Sequence, residues 1–110
     1  MADILIEIQG SDAVAATEEM LAIDGLSGEY EVEGEDEKEG ILVAIATIVG
    51  IVGGTLTIAE KLYQWYQAAR KARSPSAPAR VEKAILVGRN GRRLLLKDAT
   101  VEQIQKILDA

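Results

Sequence analysis

The side chains that this chain offers for chemistry are carboxylates, lysines, hydroxyls and tyrosines. Its 110 residues include no cysteine and no histidine. Without cysteine there can be no disulfide, thiolate metal site or Cys nucleophile. Without histidine the commonest general base and transition-metal ligand are missing. An enzyme built on carboxylates such as Glu60 would need a pocket with a pair of shifted pKa values. We therefore expect no enzyme and no catalytic, cofactor-binding or metal site.

The motifs that usually bind phosphates or cations do not match either. The glycines at 50, 53 and 54 fit neither GxGxxG nor a P-loop, since no Lys-Ser/Thr pair follows them. The acidic run GEDEKEG, residues 34–40, lacks the oxygen-ligand spacing of a calcium loop, which favours a solvated loop. Three arginines around a predicted hairpin turn could grip phosphate, but a solvated hairpin edge is the more ordinary interpretation: Arg89, Arg92 and Arg93.

Charge is distributed unevenly along the sequence. Residues 1–40 contain 13 acids and one base, a net charge of −12, whereas residues 41–110 contain 5 acids and 11 bases, a net charge of +6. Such a split suits complementary contacts, either between the two halves or between copies of the chain. The acidic half would repel phosphates, so we expect no nucleic acid partner.

The pattern of apolar residues predicts one α+β domain over residues 1–110. Alternation predicts strands near residues 4–8 and 29–33, with a helix between them that ends at Asp24-Gly25. Asn90-Gly91 predicts a tight type I′ hairpin, and Thr100 with Gln103 predicts a capping box for a last helix. The predicted order is β-α-β, a long apolar helix, then β-β-α, with a small mixed or antiparallel sheet packed by the helices. The segments are an acidic loop at 34–40, an apolar glycine-containing helix at 41–73, a Ser/Pro linker at 74–79 and a closing ββα unit at 80–110.

The central segment admits two interpretations. Residues 41–59 include no charge, and as a helix they would rise about 28 Å, close to the thickness of a bilayer core. Buried in protein instead, the helix would present small residues that let a second helix approach closely, as in a GxxxG motif. We predict this buried or self-associating helix, with a membrane span as the alternative. The predicted helix-helix contact residues are Ala46, Gly50, Gly53, Gly54 and Thr57.

Aromatic and basic residues follow this segment. Trp65 and Tyr66 would form an aromatic belt, and Arg70 and Arg73 a positive flank, if the segment crossed a membrane. The same four residues could contact a protein partner, although Trp and Tyr at such positions more often pack in a core. The start, MADILIEIQ, has no basic region ahead of an apolar one, so a cytoplasmic protein is the default expectation and inner-membrane association the alternative.

The whole pattern resembles the effector-associated constant component 1 family of bacterial conflict systems. The resemblance extends along nearly the full length. It includes the opening strand, the first helix before LSGEYEV at 26–32, the Gly-rich apolar stretch at 41–59 that leads to Trp65, and GRRLLLKDA at 91–99 as the most specific piece. The very acidic 29–39 segment and the Glu60-Lys61 pair depart from the family pattern.

The resemblance implies a non-enzymatic accessory protein of an anti-phage defence system. Such a protein would be encoded beside protease-type effectors and signalling NTPases, and would act as an adaptor or assembly component through protein contacts. We therefore expect protein partners from the same system and a homo-oligomer, with no cofactor. The alternative is a protein that anchors in, or permeabilises, the inner membrane through helix 41–59.

Overall fold

The computed structural model describes residues 3–36, 41–71 and 81–110, and these form an antiparallel sheet with helices packed against it. The predicted α+β class is confirmed. Residues 34–36 of the predicted acidic loop belong instead to the strand Leu26–Asp36, so the loop prediction is wrong there. Residues 37–40 of that loop and the predicted linker 74–79 lie outside the described residues. The elements are β1 (Ile4–Gly10), α1 (Ala13–Leu21), β2 (Leu26–Asp36), β3 (Ile41–Ile51), α2 (Thr55–Ala69), β4 (Lys83–Val87), β5 (Arg93–Leu95), a 3-10 turn (Leu96–Asp98) and α3 (Val101–Asp109).

The five strands lie in the order β2-β3-β1-β4-β5, and every neighbouring pair is antiparallel. Strand β3 therefore lies between β1 and β2, and β1 lies between β3 and β4. The first six elements form two interleaved split β-α-β units, the arrangement described as ferredoxin-like. Strand β5 and helix α3 extend it. Strand β1 is the centre of the sheet, with two strands on each side.

The prediction of one apolar helix over residues 41–73 is wrong. Residues Ile41–Ile51 form β3, an 11-residue strand, and the helix that follows covers only Thr55–Ala69. Between them Gly53 and Gly54 have φ angles of +96° and +98°, a conformation that no α-helix contains. None of the described helices combines the length with the hydrophobicity that a membrane span needs.

The physical reason lies in the side chains of this segment. Ile, Val and Thr make up most of residues 43–52, and branching at Cβ restricts χ1 in a helix but suits a pleated strand. A continuous apolar run also fits a strand whose two faces are both partly covered, and periodicity alone does not separate that strand from a buried helix. The glycine pair then ends the strand and lets the chain turn into α2 at Thr55.

The core lies between one face of the sheet and the helices. On β1, Ile4, Ile6 and Ile8 are fully buried, while the residues between them are only half-buried. Their cross-strand partners on β3 include Ala44 and Ala46, so large side chains of β1 lie beside small ones of β3. Helix α1 buries mainly small residues against this surface. Each fully buried aliphatic side chain contributes roughly 1.5–3 kcal/mol, so the Ile residues of β1 are central to stability.

The closing ββα unit forms as predicted, with one difference in its turn. Val87 pairs with Arg93, and Gly88 N donates to Arg92 O at 2.8 Å, so three residues rather than two make the turn. Gly91 has a φ of +84°, as the left-handed position of such a turn requires. The predicted type I′ turn is therefore wrong. The capping box is confirmed: Thr100 Oγ1 accepts from Gln103 N, and Gln103 Oε1 accepts from Thr100 N.

Candidate interaction surface

The predicted helix-helix stripe does not exist, because its members belong to three different elements. Ala46 lies fully buried on β3 in the core, and Gly50 is near the end of the same strand. Gly53 and Gly54 form the exposed turn before α2, and Thr57 lies exposed in the first turn of that helix. No second helix can use this set as a packing stripe, so the GxxxG interpretation is wrong.

The aromatic and basic set is mostly part of the core. Trp65 and Tyr66 are only 8% and 3% exposed, and Trp65 Nε1 donates a 2.8 Å hydrogen bond to Ala16 O, which ties α2 to α1. The guanidinium of Arg70 lies 5.8 Å from the centre of the Tyr66 ring. The side chains of Trp65 and Tyr66 therefore pack within the protein, whereas Arg70 is exposed. Arg73 lies outside the described residues.

The arginines of the hairpin have separate roles. Arg89 Nη1 donates to the main-chain oxygens of Leu108 and Ala110, both at 3.1 Å, at the C-terminal end of α3, where a cation is favoured. Arg93 extends from the edge strand β5 to Glu7, with Nη2 3.5 Å from Oε2. Among the described residues, no group of three or more acidic residues is placed to hold a metal ion.

The largest surface left without a helix is the second face of the sheet, which we call the open face. On most strands its residues alternate with the buried ones, although Ile85 is itself only 8% exposed. They form two rows across all five strands. The first row is Glu31, Ile45, Glu7, Ile85 and Leu95, from β2 to β5. The second row is Glu29, Thr47, Leu5, Val87 and Arg93.

The open face is apolar in the middle and charged at its sides. Ile45, Leu5 and Val87 are half-buried, and Leu95 is 37% exposed. Glu7, on the central strand, is held by two contacts: Arg93 at 3.5 Å and the amide of Gln9, whose Nε2 donates to Oε1 at 3.0 Å. A charge in the middle of the face is therefore already paired within the chain.

The two sides of the open face have opposite charge. On β2, Glu29, Glu31 and Glu33 are exposed. With Tyr30, Ile45 and Thr47 they line a hollow of about 260 Å³. On the other side, Lys83 of β4 lies opposite Gln9 of β1, and Arg93 lies on β5. The face is therefore acidic along β2, whereas its bases Lys83 and Arg93 lie on β4 and β5. Strands β2 and β5 are four strand spacings, roughly 19 Å, apart.

A second concave feature lies where the α1–β2 turn meets the β3–α2 turn. It is an open groove of about 540 Å³, in which Lys61 Nζ donates to Asp24 O at 3.2 Å. Val52, which lines it, is 76% exposed. The groove lies at the N-terminus of α2 beside the exposed Gly53, and the ammonium of Lys61 is already bonded to main chain.

One titratable side chain has a displaced pKa. Tyr30 on β2 donates its phenol to Glu18 Oε1 of α1 at 2.8 Å. This hydrogen bond, then desolvation, then the negative charge of Glu18 raise the pKa of Tyr30 above its usual 10.0. The contact ties an element of the helix layer to the edge strand.

The sequence did contain a signal for the open face that the helix interpretation missed. In residues 43–47, the larger Val43, Ile45 and Thr47 alternate with Ala44 and Ala46, a period-two pattern in size rather than in polarity. Comparison of the chain with protein-family models, with curated proteins and with solved structures found no match. The proposals below therefore rest on the sequence and the structure.

Proposed function

We propose that this chain is a non-enzymatic adaptor or assembly component of a bacterial conflict system, and that it acts in the cytoplasm through protein-protein contacts. The observation that supports contact with protein is the open face, where apolar side chains of four neighbouring strands lie under no described helix. Grouped apolar residues bordered by charged ones are typical of protein interfaces. The connection to an NTPase and a protease-type effector comes from the family resemblance.

A phage challenge of cells that carry the whole gene set tests this function. Leu95→Glu places a charge on the open face at an exposed edge position, and Leu56→Glu places the same charge on the helix layer, where the leucine is also exposed. We expect Leu95→Glu to lose at least about tenfold of the protection, because a buried unpaired charge disrupts an interface. Leu56→Glu should protect like the wild type.

Two outcomes would contradict the proposal. Full protection by Leu95→Glu, at normal protein level, would show that the open face makes no essential contact. Loss of protection in Glu60→Gln, with the fold retained, would point to a carboxylate-dependent reaction, because Glu60 is exposed on α2 and the substitution removes only its charge.

A further inference from the structure

We infer that the open face binds a second copy of this chain, with the two sheets face to face around a two-fold axis parallel to the strands. This rests on the proposed function, since it names the partner of the surface that the function requires. Three observations support it: the strand order, the positions of the charges and the pairing of Glu7.

The strand order makes the open face symmetric about β1. A two-fold axis that runs along β1, between the two sheets, places β2 of one copy over β5 of the other and β3 over β4. Aligned sheets that pack in this way keep their strands within about 30° of each other. Every strand then has a counterpart, and the apolar middle of one face covers the apolar middle of the other.

The positions of the charges favour the two-fold axis along β1 over a two-fold axis that runs across the strands. Glu29 and Arg93 occupy the same row of the open face, so the axis along β1 brings Glu29 of each copy over Arg93 of the other. The symmetry makes this contact twice. A two-fold axis across the strands would instead place β2 over β2, with the three exposed glutamates facing their own copies, which repel each other.

The same glutamates oppose pairing through the sheet edge. Strand β2 is an edge strand, and an antiparallel β2–β2 pair would bring Glu29, Glu31 and Glu33 beside the same residues of the second copy. Acidic residues on an edge are a known protection against such pairing. The charges thus disfavour two modes of self-association and favour the third.

The charge nearest the axis is already compensated. Glu7 lies on β1, so the two copies of this residue approach each other in the proposed dimer. Because each Glu7 carboxylate contacts Arg93 and Gln9 of its own chain, it does not enter the interface unpaired. Arg93 then lies between an internal and an external carboxylate.

The area of the open face sets the expected affinity of the dimer. Strand spacing and residue rise give a face of roughly 20 by 20 Å, on the order of 400 Å² per copy. This is about half the area that each partner buries in a standard stable interface. We therefore expect a dimer that dissociates on dilution, with a Kd in the micromolar range.

Sedimentation velocity on the purified chain, from about 10 μM to about 1 mM at fixed ionic strength, tests the inference. Glu29→Arg places Arg over Arg93, and Arg93→Glu places Glu over Glu29, so each variant alone should dimerise at least about tenfold more weakly than the wild type. In an equimolar mixture the two variants form both attractive contacts, so a dimer should return. Glu60→Arg, the same change on the helix layer, should dimerise like the wild type.

Circular dichroism of each variant shows whether its fold is kept. If Arg93→Glu loses its fold through its contact with Glu7, Arg93→Gln takes its place, and the mixture with Glu29→Arg should then show a smaller recovery. A wild-type chain that stays monomeric up to about 1 mM would overturn the inference. A dimer that Glu29→Arg strengthens would also overturn it, because that result indicates contact between two copies of β2.

Failure of this inference is distinguishable from failure of the proposed function. A monomeric chain whose Leu95→Glu variant still loses phage protection would leave the function in place and assign the open face to a different protein. A dimer with the expected behaviour, together with phage protection that is unchanged in Leu95→Glu, would support the dimer and contradict the proposed function.

Discussion

At the scale of single residues, the structure depends on glycines where two turns meet. Gly25, in the turn between α1 and β2, has a φ of +93°. Its carbonyl accepts a 2.7 Å hydrogen bond from Val52 N, just after β3. A Cβ at residue 25 would lie 2.4 Å from Val52 O. Both the backbone conformation and the close approach therefore require glycine at this position.

Gly25→Ala is expected to lower the free energy of unfolding by about 2–4 kcal/mol. The left-handed conformation costs roughly 1–2 kcal/mol for a residue with a Cβ, and the contact with Val52 O adds strain because main-chain atoms must shift. Thermal unfolding measures the effect, and about 1 kcal/mol corresponds to a Tm shift of roughly 4–8 °C in a domain of this size.

Gly53→Ala is the matched control for this prediction. Its φ of +96° is nearly the same, but no atom lies within 4 Å of the added Cβ. It should cost only the conformational part, about 1–2 kcal/mol. Equal losses of stability in the two variants would show that the close approach of Val52 O to Gly25 adds nothing to the loss in free energy of unfolding.

At the scale of elements, the sequence was informative wherever two faces differ in polarity and misleading where they differ only in size. The alternation of β1 and the capping box of α3 both predicted the observed structure. In β3, alanines face the core and Val43 and Ile45 face outward, so both faces are apolar. No polarity period existed there, and the glycines that end the strand resembled a helix-packing motif.

One contact between elements gives a prediction about pH. The phenol of Tyr30 on β2 donates to Glu18 on α1, which raises the pKa of Tyr30. Glu18→Gln removes the negative charge, so the pKa of Tyr30 should fall towards 10.0, as followed by its ring resonances in an NMR titration. Glu31→Gln, which removes a nearby carboxylate on the opposite face of the sheet, should change it little.

The sign of the linked stability follows from the direction of the shift. Because the pKa of Tyr30 is higher in the folded state than its ordinary value of 10.0, folding favours the protonated phenol. The stabilisation is fully present below that ordinary value and is lost as the pH rises through the folded-state pKa. Wild type should thus lose its advantage over Glu18→Gln in this alkaline window. An advantage that persists throughout it would contradict the assignment.

At the scale of the whole molecule, the charge split in the sequence becomes a charge gradient across the sheet. The acidic half supplies β2 at one side, and the basic half supplies β4 and β5 at the other, with β1 between them. The sequence showed the uneven charge but not its place in the fold, because the strand order depends on contacts between distant segments. Arg93 stood out only as one of the hairpin arginines, and its relation to Glu29 follows only from the strand order, in which β3, β1 and β4 lie between β2 and β5.

The most direct test of the open face as a self-association surface is an NMR dilution series. Backbone amide shifts of the wild-type chain are compared between about 10 μM and about 1 mM. We predict concentration-dependent shifts at open-face positions on all five strands, such as Glu29, Thr47, Leu5, Val87 and Arg93, with little change on α2 and α3. Shifts confined to the β3–α2 turn, or no shift at all, would contradict the account.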